Sequence, residues 1–159
     1  KTDDLFALSQ ANSIDLSKND LAPVKEAARE YAVVVVMGHQ EVDGAVSGST
    51  LFNSAAIIDA DGTLLNNHRK LMPTNPERMV WGFGDGSTLR GVETAVGRVG
   101  ALICWENYMP MLRMYMYSKG FNLLRAYGGW CVPESSADSL GNLVGEILAI
   151  LEPEADGKE

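Results

Sequence analysis

Basic residues are scarce in this chain: 13 Lys and Arg stand against 21 Asp and Glu, a formal charge of −8 over 159 residues. A nucleic-acid backbone is bound through a basic face, so the deficit excludes that class of partner. Long apolar runs are missing as well. No window approaches the ~18 apolar residues of a membrane-spanning helix, and Lys1 opens no basic-then-apolar leader. Cysteine occurs only at positions 104 and 131, too few for a disulfide scaffold. The two histidines, His39 and His68, lie far apart with no cysteine near them, which leaves no zinc set. What remains is 46% hydrophobic and 21% charged. A chain of this size buries roughly 68–70% of its unfolded surface, ample for one core. Composition predicts a soluble, acidic, cytoplasmic globular chain with no membrane contact, and is silent on chemistry.

Local patterns predict alternating helix and strand. Residues 17–32 predict a helix capped by Asn19 or Asp20, with Pro23 in its first turn and Val24, Ala27, Ala28 and Tyr31 at helical spacing. Residues 33–38, VVVVMG, predict a buried strand closed by glycine. Asp43-Gly44 signals a turn. Residues 51–62 predict a strand ending in a hairpin at Asp61-Gly62, with 63–71 returning antiparallel. A second strand pair is expected within 87–104, turning near Gly97-Arg98, and a short strand at 121–127. Helix, tightly turned strands and helix again predict an α-plus-sheet layered fold.

Residues 108–120, YMPMLRMYMYSKG, predict a helix with Pro110 in its first turn and Lys119-Gly120 as its stop. It has almost no polar face. Such a helix is covered on both sides, by a local layer or by a second subunit; the residues leave both open. A polar loop (133–142), an apolar run (143–151) and an acidic tail follow.

Two segments carry chemistry. In Gly100-Ala-Leu-Ile-Cys104-Trp105-Glu106-Asn107, a strand ends in a nucleophile before a helix, whose N–H groups lower a thiol pKa and stabilise an oxyanion. A lone cysteine is more often a small buried hydrophobe, so the context alone makes Cys104 a candidate. In HRKLMPTNPER (68–78), Pro73 and Pro76 stiffen a loop that fixes Lys70 and Glu77 near each other; an exposed surface pair is the plainer reading. Other signals are weaker. Asp59-Ala-Asp61-Gly62 is a hairpin rather than a calcium loop. Gly82-Phe-Gly84-Asp-Gly86 lacks a phosphate-loop lysine and reads as an active-site loop. His68 reads as a strand residue near the site. Trp81, Phe83 and Trp105 line a pocket or pack in the core.

Together, HRKLMPTNPERMVWGFGDG and VGRVGALICWENYMPMLR resemble the nitrilase branch of the carbon–nitrogen hydrolase superfamily. IDLSKNDLAPVKEAAREYAVVVVMGHQEVDG and TLFNSAAIIDADGTLLNNHRKLMP extend the resemblance from about residue 14 to Gly120. It implies an α/β fold, an α-β-β-α sandwich incomplete in this chain, with 1–120 as its N-terminal and central part. Residues 121–159 form a divergent segment weakly similar to a later part, through Gly145-Glu146-Ile147-Leu148-Ala149. It also implies hydrolysis of a small-molecule nitrile to a carboxylic acid and ammonia without metal or organic cofactor. Homo-oligomers would form through helix 108–119. Carried over by motif, Cys104 is the nucleophile, Lys70 the catalytic lysine and Glu77 the second glutamate, and the Trp105 N–H meets charge developing on nitrogen. Glu106 is a candidate supporting residue whose side chain should point away from the thiol.

The chain departs from the family in two ways. The family's general-base glutamate lies in a Pro-Glu segment upstream of the lysine motif, whereas no glutamate occurs here before residue 14. Glu41 stands too close to Lys70 to replace it and matches a structural glutamate. Beyond Gly120 the match weakens, and Cys131 has no counterpart, which predicts a truncated or internally deleted chain. Amide hydrolysis, nitrile hydration and a catalytically incompetent assembly module are the alternatives to nitrile hydrolysis.

Overall fold

Two three-stranded sheets organise the chain. The computed structural model describes residues 2–120 and 123–126, all within one compact unit, Lys1–Gly129; a second unit, Trp130–Glu159, lies outside the described residues. The helices are α1 (Thr2–Ala11), α2 (Ala22–Tyr31) and α3 (Pro110–Ser118). The strands are β1 (Val35–Val42), β2 (Leu51–Ile58), β3 (Leu64–Arg69), β4 (Val92–Thr94), β5 (Gly97–Ile103) and β6 (Leu123–Ala126). Tight 3-10 turns cover Leu16–Lys18, Asn75–Met79 and Cys104–Tyr108. One sheet has the order β1-β2-β3, antiparallel throughout. The other has the order β4-β5-β6, with β5 antiparallel to β4 and parallel to β6.

The sheets meet through the alternation of their central strands. Ala55 and Ile57 of β2 pack with Val99, Ala101 and Ile103 of β5, and Cys104 and Val92 lie against this cluster. On the opposite face of β2, Phe52, Ser54, Ala56 and Ile58 are buried too. A strand covered on both faces needs a nearly continuous apolar sequence, which LFNSAAII supplies. The hairpin predicted at Asp61-Gly62 is present: Gly62 N donates to the Asp59 carbonyl (2.8 Å) and Asp59 N to that of Thr63 (2.9 Å). Asp59 Oδ1 also accepts from Ala95 N (2.9 Å), fastening this hairpin to the β4–β5 turn of the second sheet. Among the described residues, no helix is long and apolar enough to cross a membrane.

Several expectations are corrected. β1 runs to Val42 and is a half-exposed outer strand rather than a buried one, because β2 occupies the centre of the sheet. α2 has no side-chain cap. Asp20 instead accepts from Asp15 N (2.8 Å) and Asn19 from Lys25 Nζ (3.1 Å), while Asn19 takes a left-handed conformation. The buried stripe of α2 is Leu21 and Ala28 with Val24 half-buried; Ala27 and Tyr31 are exposed. α1 was not anticipated, since its apolar residues Leu5 and Leu8 stay exposed and form no inward stripe. The β4–β5 turn falls at 95–96, just ahead of Gly97 at φ +112°. The second strand pair is therefore shorter than predicted; of the strand predicted at 121–127, the described residues Leu123–Ala126 form β6 and the rest lie outside the described residues. α3 begins at Pro110, preceded by the 3-10 turn from Cys104.

Glu41 binds all three strands of the first sheet. Its carboxylate accepts from Ser54 Oγ on β2 (2.6 Å), Asn67 Nδ2 on β3 (2.7 Å) and Arg69 Nε (3.0 Å). The Arg69 guanidinium also lies 4.1 Å over the Phe52 ring. Burial pushes the Glu41 carboxyl up, but Arg69, Ser54 and Asn67 outweigh it and hold it below the ordinary 4.5. A folded-state value below the unfolded one stabilises the chain above pH 4.5 and is lost as pH falls through the folded value. Glu41→Gln is expected to lose about 2 kcal/mol at neutral pH. Its urea-denaturation midpoint should also fall less than the parent's on acidification below pH 4.5.

Candidate functional site

Lys70 follows β3 directly, and its backbone N–H extends the ladder by donating to the Asn53 carbonyl (2.8 Å). Its side chain is fully buried, and Nζ donates to Glu77 Oε2 (2.6 Å) and Thr74 Oγ1 (3.2 Å). A buried ammonium persists only when paired and hydrogen-bonded; the loop with Pro73 and Pro76 supplies the pair. Its 3-10 turn Asn75–Met79 presents Glu77, whose Oε2 also accepts from Thr74 N (2.7 Å). The plainer expectation of an exposed surface pair is thereby overturned. The glycine loop lies against the same spot: Gly84 N donates to the Lys70 carbonyl (2.8 Å). A Cβ on Gly84 would collide with the Arg69 carbonyl oxygen, so the close approach requires glycine.

Cys104 sits where β5 ends, at φ +53°, a left-handed conformation that costs a non-glycine residue on the order of 1–2 kcal/mol. The turn after it is held tightly. Asn107 Nδ2 donates to the carbonyls of Leu102 (3.1 Å) and Cys104 (3.0 Å), and Arg113 Nη1 donates to that of Asn107 (3.1 Å).

The two segments are joined by one side chain. Glu106 is completely buried and accepts from Ile103 N (2.7 Å), the residue before Cys104, and from Leu71 N (2.7 Å), the residue after Lys70. His68 Nε2 completes its shell at 3.1 Å. A carboxylate only accepts, so Nε2 carries the hydrogen. In the neutral ring Nδ1 then accepts from the Thr88 hydroxyl (3.3 Å), which in turn accepts from Arg69 N (3.2 Å). The 3-10 turn begins with a carboxylate on its own N-terminal donor, which offsets the positive potential that the sequence suggested there.

His68 is the residue that sequence reasoning undervalued. Its signal was its spacing: two residues from Lys70 on one strand places both on one face. The aromatics separate. Trp81 Nε1 donates to Gln40 Oε1 (2.8 Å), while Phe83 and Trp105 are exposed, and Trp105 lies 5.2 Å from the Tyr108 ring. Cys131 lies outside the described residues. The two segments thus carry a thiol on a fixed corner, a buried ammonium, a half-buried carboxylate and a fully buried one, residue types able to attack and polarise an electrophilic carbon bound to nitrogen.

Residues 4–150 match the profile of the carbon-nitrogen hydrolase family. The chain belongs to that family. Among curated carbon–nitrogen hydrolases it is 43% identical over 128 residues to a nitrilase of Bradyrhizobium diazoefficiens, covering 80% of this chain and 37% of the relative. It is 44% identical over 128 residues to an aliphatic nitrilase of Sinorhizobium fredii, covering 80% and 38%. It is 42% identical over 134 residues to a bifunctional nitrilase/nitrile hydratase of Nicotiana tabacum, covering 84% and 35%. The chain therefore spans little more than a third of the length of these relatives. The fold is shared with a carbon-nitrogen hydrolase from Helicobacter pylori G27 at TM-score 0.62 and 23% identity, covering 84% of this chain and 46% of that one. The α/β sandwich of this superfamily is thus the fold of the chain, in part.

In this member of the carbon–nitrogen hydrolase family Glu106→Ala removes the acceptor of two backbone donors and of His68. It is expected to lower stability by about 3 kcal/mol, read from urea denaturation, with Glu106→Gln losing less because one acceptor oxygen remains.

Proposed function

We propose that the chain carries the nucleophilic half of a nitrilase site, for hydrolysis of a nitrile to its carboxylic acid and ammonia. The observation that carries this reading is the Glu106 bridge, which holds the residues beside Lys70 and Cys104 on one carboxylate. In the proposed reaction the Cys104 sulfur adds to the nitrile carbon, and one π-electron pair of the C≡N bond moves to nitrogen. The thiol proton is passed to nitrogen, giving a thioimidate. Lys70 Nζ and the Trp105 N–H meet the charge on nitrogen as it develops. One water then displaces ammonia to leave a thioester, and a second releases the acid and restores the thiol. Glu77 orients Lys70, and Glu106 with His68 positions the two segments. The exposed Trp105 and Phe83 border the apolar part of the substrate.

A second reading rests on one observation. Neither site carboxylate is idle: Glu77 Oε2 serves Lys70 and Thr74, and both Glu106 oxygens are engaged. A base that activates water must spare an oxygen for it and be free to take a proton; both Glu106 oxygens are taken and Glu77 is ion-paired to Lys70, which favours a chain that acylates without turning over. The purified chain and Cys104→Ala are incubated with benzonitrile and butyronitrile while ammonia and intact mass are followed. The proposed nitrilase gives a Cys104 adduct and continuing ammonia release, both lost in Cys104→Ala. An adduct without turnover selects the second reading, and no adduct rejects both.

We also propose that α3 pairs with a second copy of the chain. Met116 is its one buried residue, while Tyr108, just ahead of it, and Met111, Met114, Tyr115 and Tyr117 are exposed. Exposed apolar side chains gathered on one short helix mark an association surface. Sedimentation is expected to show dimers or larger species that Met111→Lys with Met114→Lys dissociates; a sharp parental monomer contradicts the pairing.

A further inference from the structure

Asn53 is the third residue of β2, the central strand of the first sheet, and only 3% of its surface is exposed. Its Nδ2 has no hydrogen-bond partner among the described residues. Leaving a buried amide donor unmade costs about 1–3 kcal/mol, so a native chain retains one where something else completes it. Asn53 stands directly opposite Lys70: the Lys70 N–H donates to the Asn53 carbonyl, and the ladder continues with Ser54 opposite Arg69 and Ala55 opposite His68. Opposed residues in an antiparallel pair share a face. Strand alternation puts Asn53 on the face of Ala55 and Ile57, which packs on β5 and Cys104. Asn53, Lys70 and His68 therefore share the face that meets the cysteine corner.

Its neighbours in the sheet do not satisfy it. Lys70 Nζ is a donor only. Gln40, opposite Asn53 on β1, spends its oxygen on Trp81 Nε1 and its nitrogen on Ser9 and Ser13. The unmet need is for an acceptor, beside a cation, on the face where a nitrile would lie.

Resting on the nitrile reading above, we propose that the Asn53 carboxamide is a substrate-binding donor, which hydrogen-bonds the nitrogen of the nitrile and of the thioimidate formed from it. Lys70 supplies charge and Asn53 a neutral N–H to the same atom. No proton leaves Asn53: the C–S bond forms, one C≡N π pair moves to nitrogen, and the proton that nitrogen gains is the thiol's. The nitrogen lone pair, richer in the thioimidate than in the nitrile, draws the stronger hydrogen bond as the reaction proceeds.

The test compares the parent chain with Asn53→Leu, a near-isosteric side chain without the donor. Adduct formation at Cys104 with benzonitrile and butyronitrile is timed by mass spectrometry, iodoacetamide alkylation of the Cys104 peptide is timed separately, and melting temperature is recorded. The expected result is nitrile adduct formation slowed roughly 10–100-fold, alkylation unchanged, and a melting temperature equal to or above the parent's, since an unpaired polar group has been removed. Unchanged adduct formation overturns the proposal. So does a melting temperature several degrees lower or an equal slowing of alkylation, either of which makes Asn53 structural. A parent that forms no nitrile adduct yet alkylates normally overturns the nitrile reading and this assignment with it. Asn53→Gln, which keeps the donor on a longer arm, should recover part of the adduct rate without a change in melting temperature.

Discussion

The Glu106 carboxylate is the constraint on which the rest of the site depends. It is fully buried, and its oxygens accept from two backbone N–H groups and an imidazole. Those two backbone groups belong to different sheets. Ile103 closes β5 and Leu71 follows β3, so one side chain sets the offset between the strand that delivers Lys70 and the strand that delivers Cys104. The strained φ of Cys104 is affordable in that setting. The turn around it is over-determined by Glu106 on one side and Asn107 and Arg113 on the other.

Around this link the molecule separates its charges by strand face. Residues 68 and 70 of β3 and its extension look toward the second sheet, and residue 69 looks away. Arg69 accordingly closes the Glu41 network on the outer face with Ser54, Asn67 and the Phe52 ring, while His68 and Lys70 build the site. Three consecutive residues thereby enter three carboxylate pairs, His68 with Glu106, Arg69 with Glu41 and Lys70 with Glu77.

Much of this could be read in the chain beforehand, where the signal was local. The Asp61-Gly62 hairpin, the strand ending at Ile103 and the pairing of Lys70 with Glu77 across a proline-stiffened loop follow from turn chemistry, alternation and loop rigidity. Long-range pairing was not legible. Whether VVVV lies in the middle or at the side of a sheet depends on which strand the fold places next to it, and β2 took the centre. The cap expected at Asn19 or Asp20 was lost because those side chains found Lys25 and Asp15 instead. Glu106 gave no periodic or compositional sign of its importance; its role comes from a residue 35 positions away, Leu71. Asn53 was equally silent, since an unpaired amide exists only once its neighbours have chosen other partners.

The link between the two segments is tested most directly by hydrogen exchange at the Leu71 and Ile103 amides in the parent and in Glu106→Ala. With Glu106 as their shared acceptor, both amides should lose protection together, by about tenfold or more, while Ala56 and Ala101 in the sheet interiors keep theirs. If Ile103 alone accelerates and Leu71 is unchanged, Glu106 is only a local cap of its own turn, and the two segments are held together by something else.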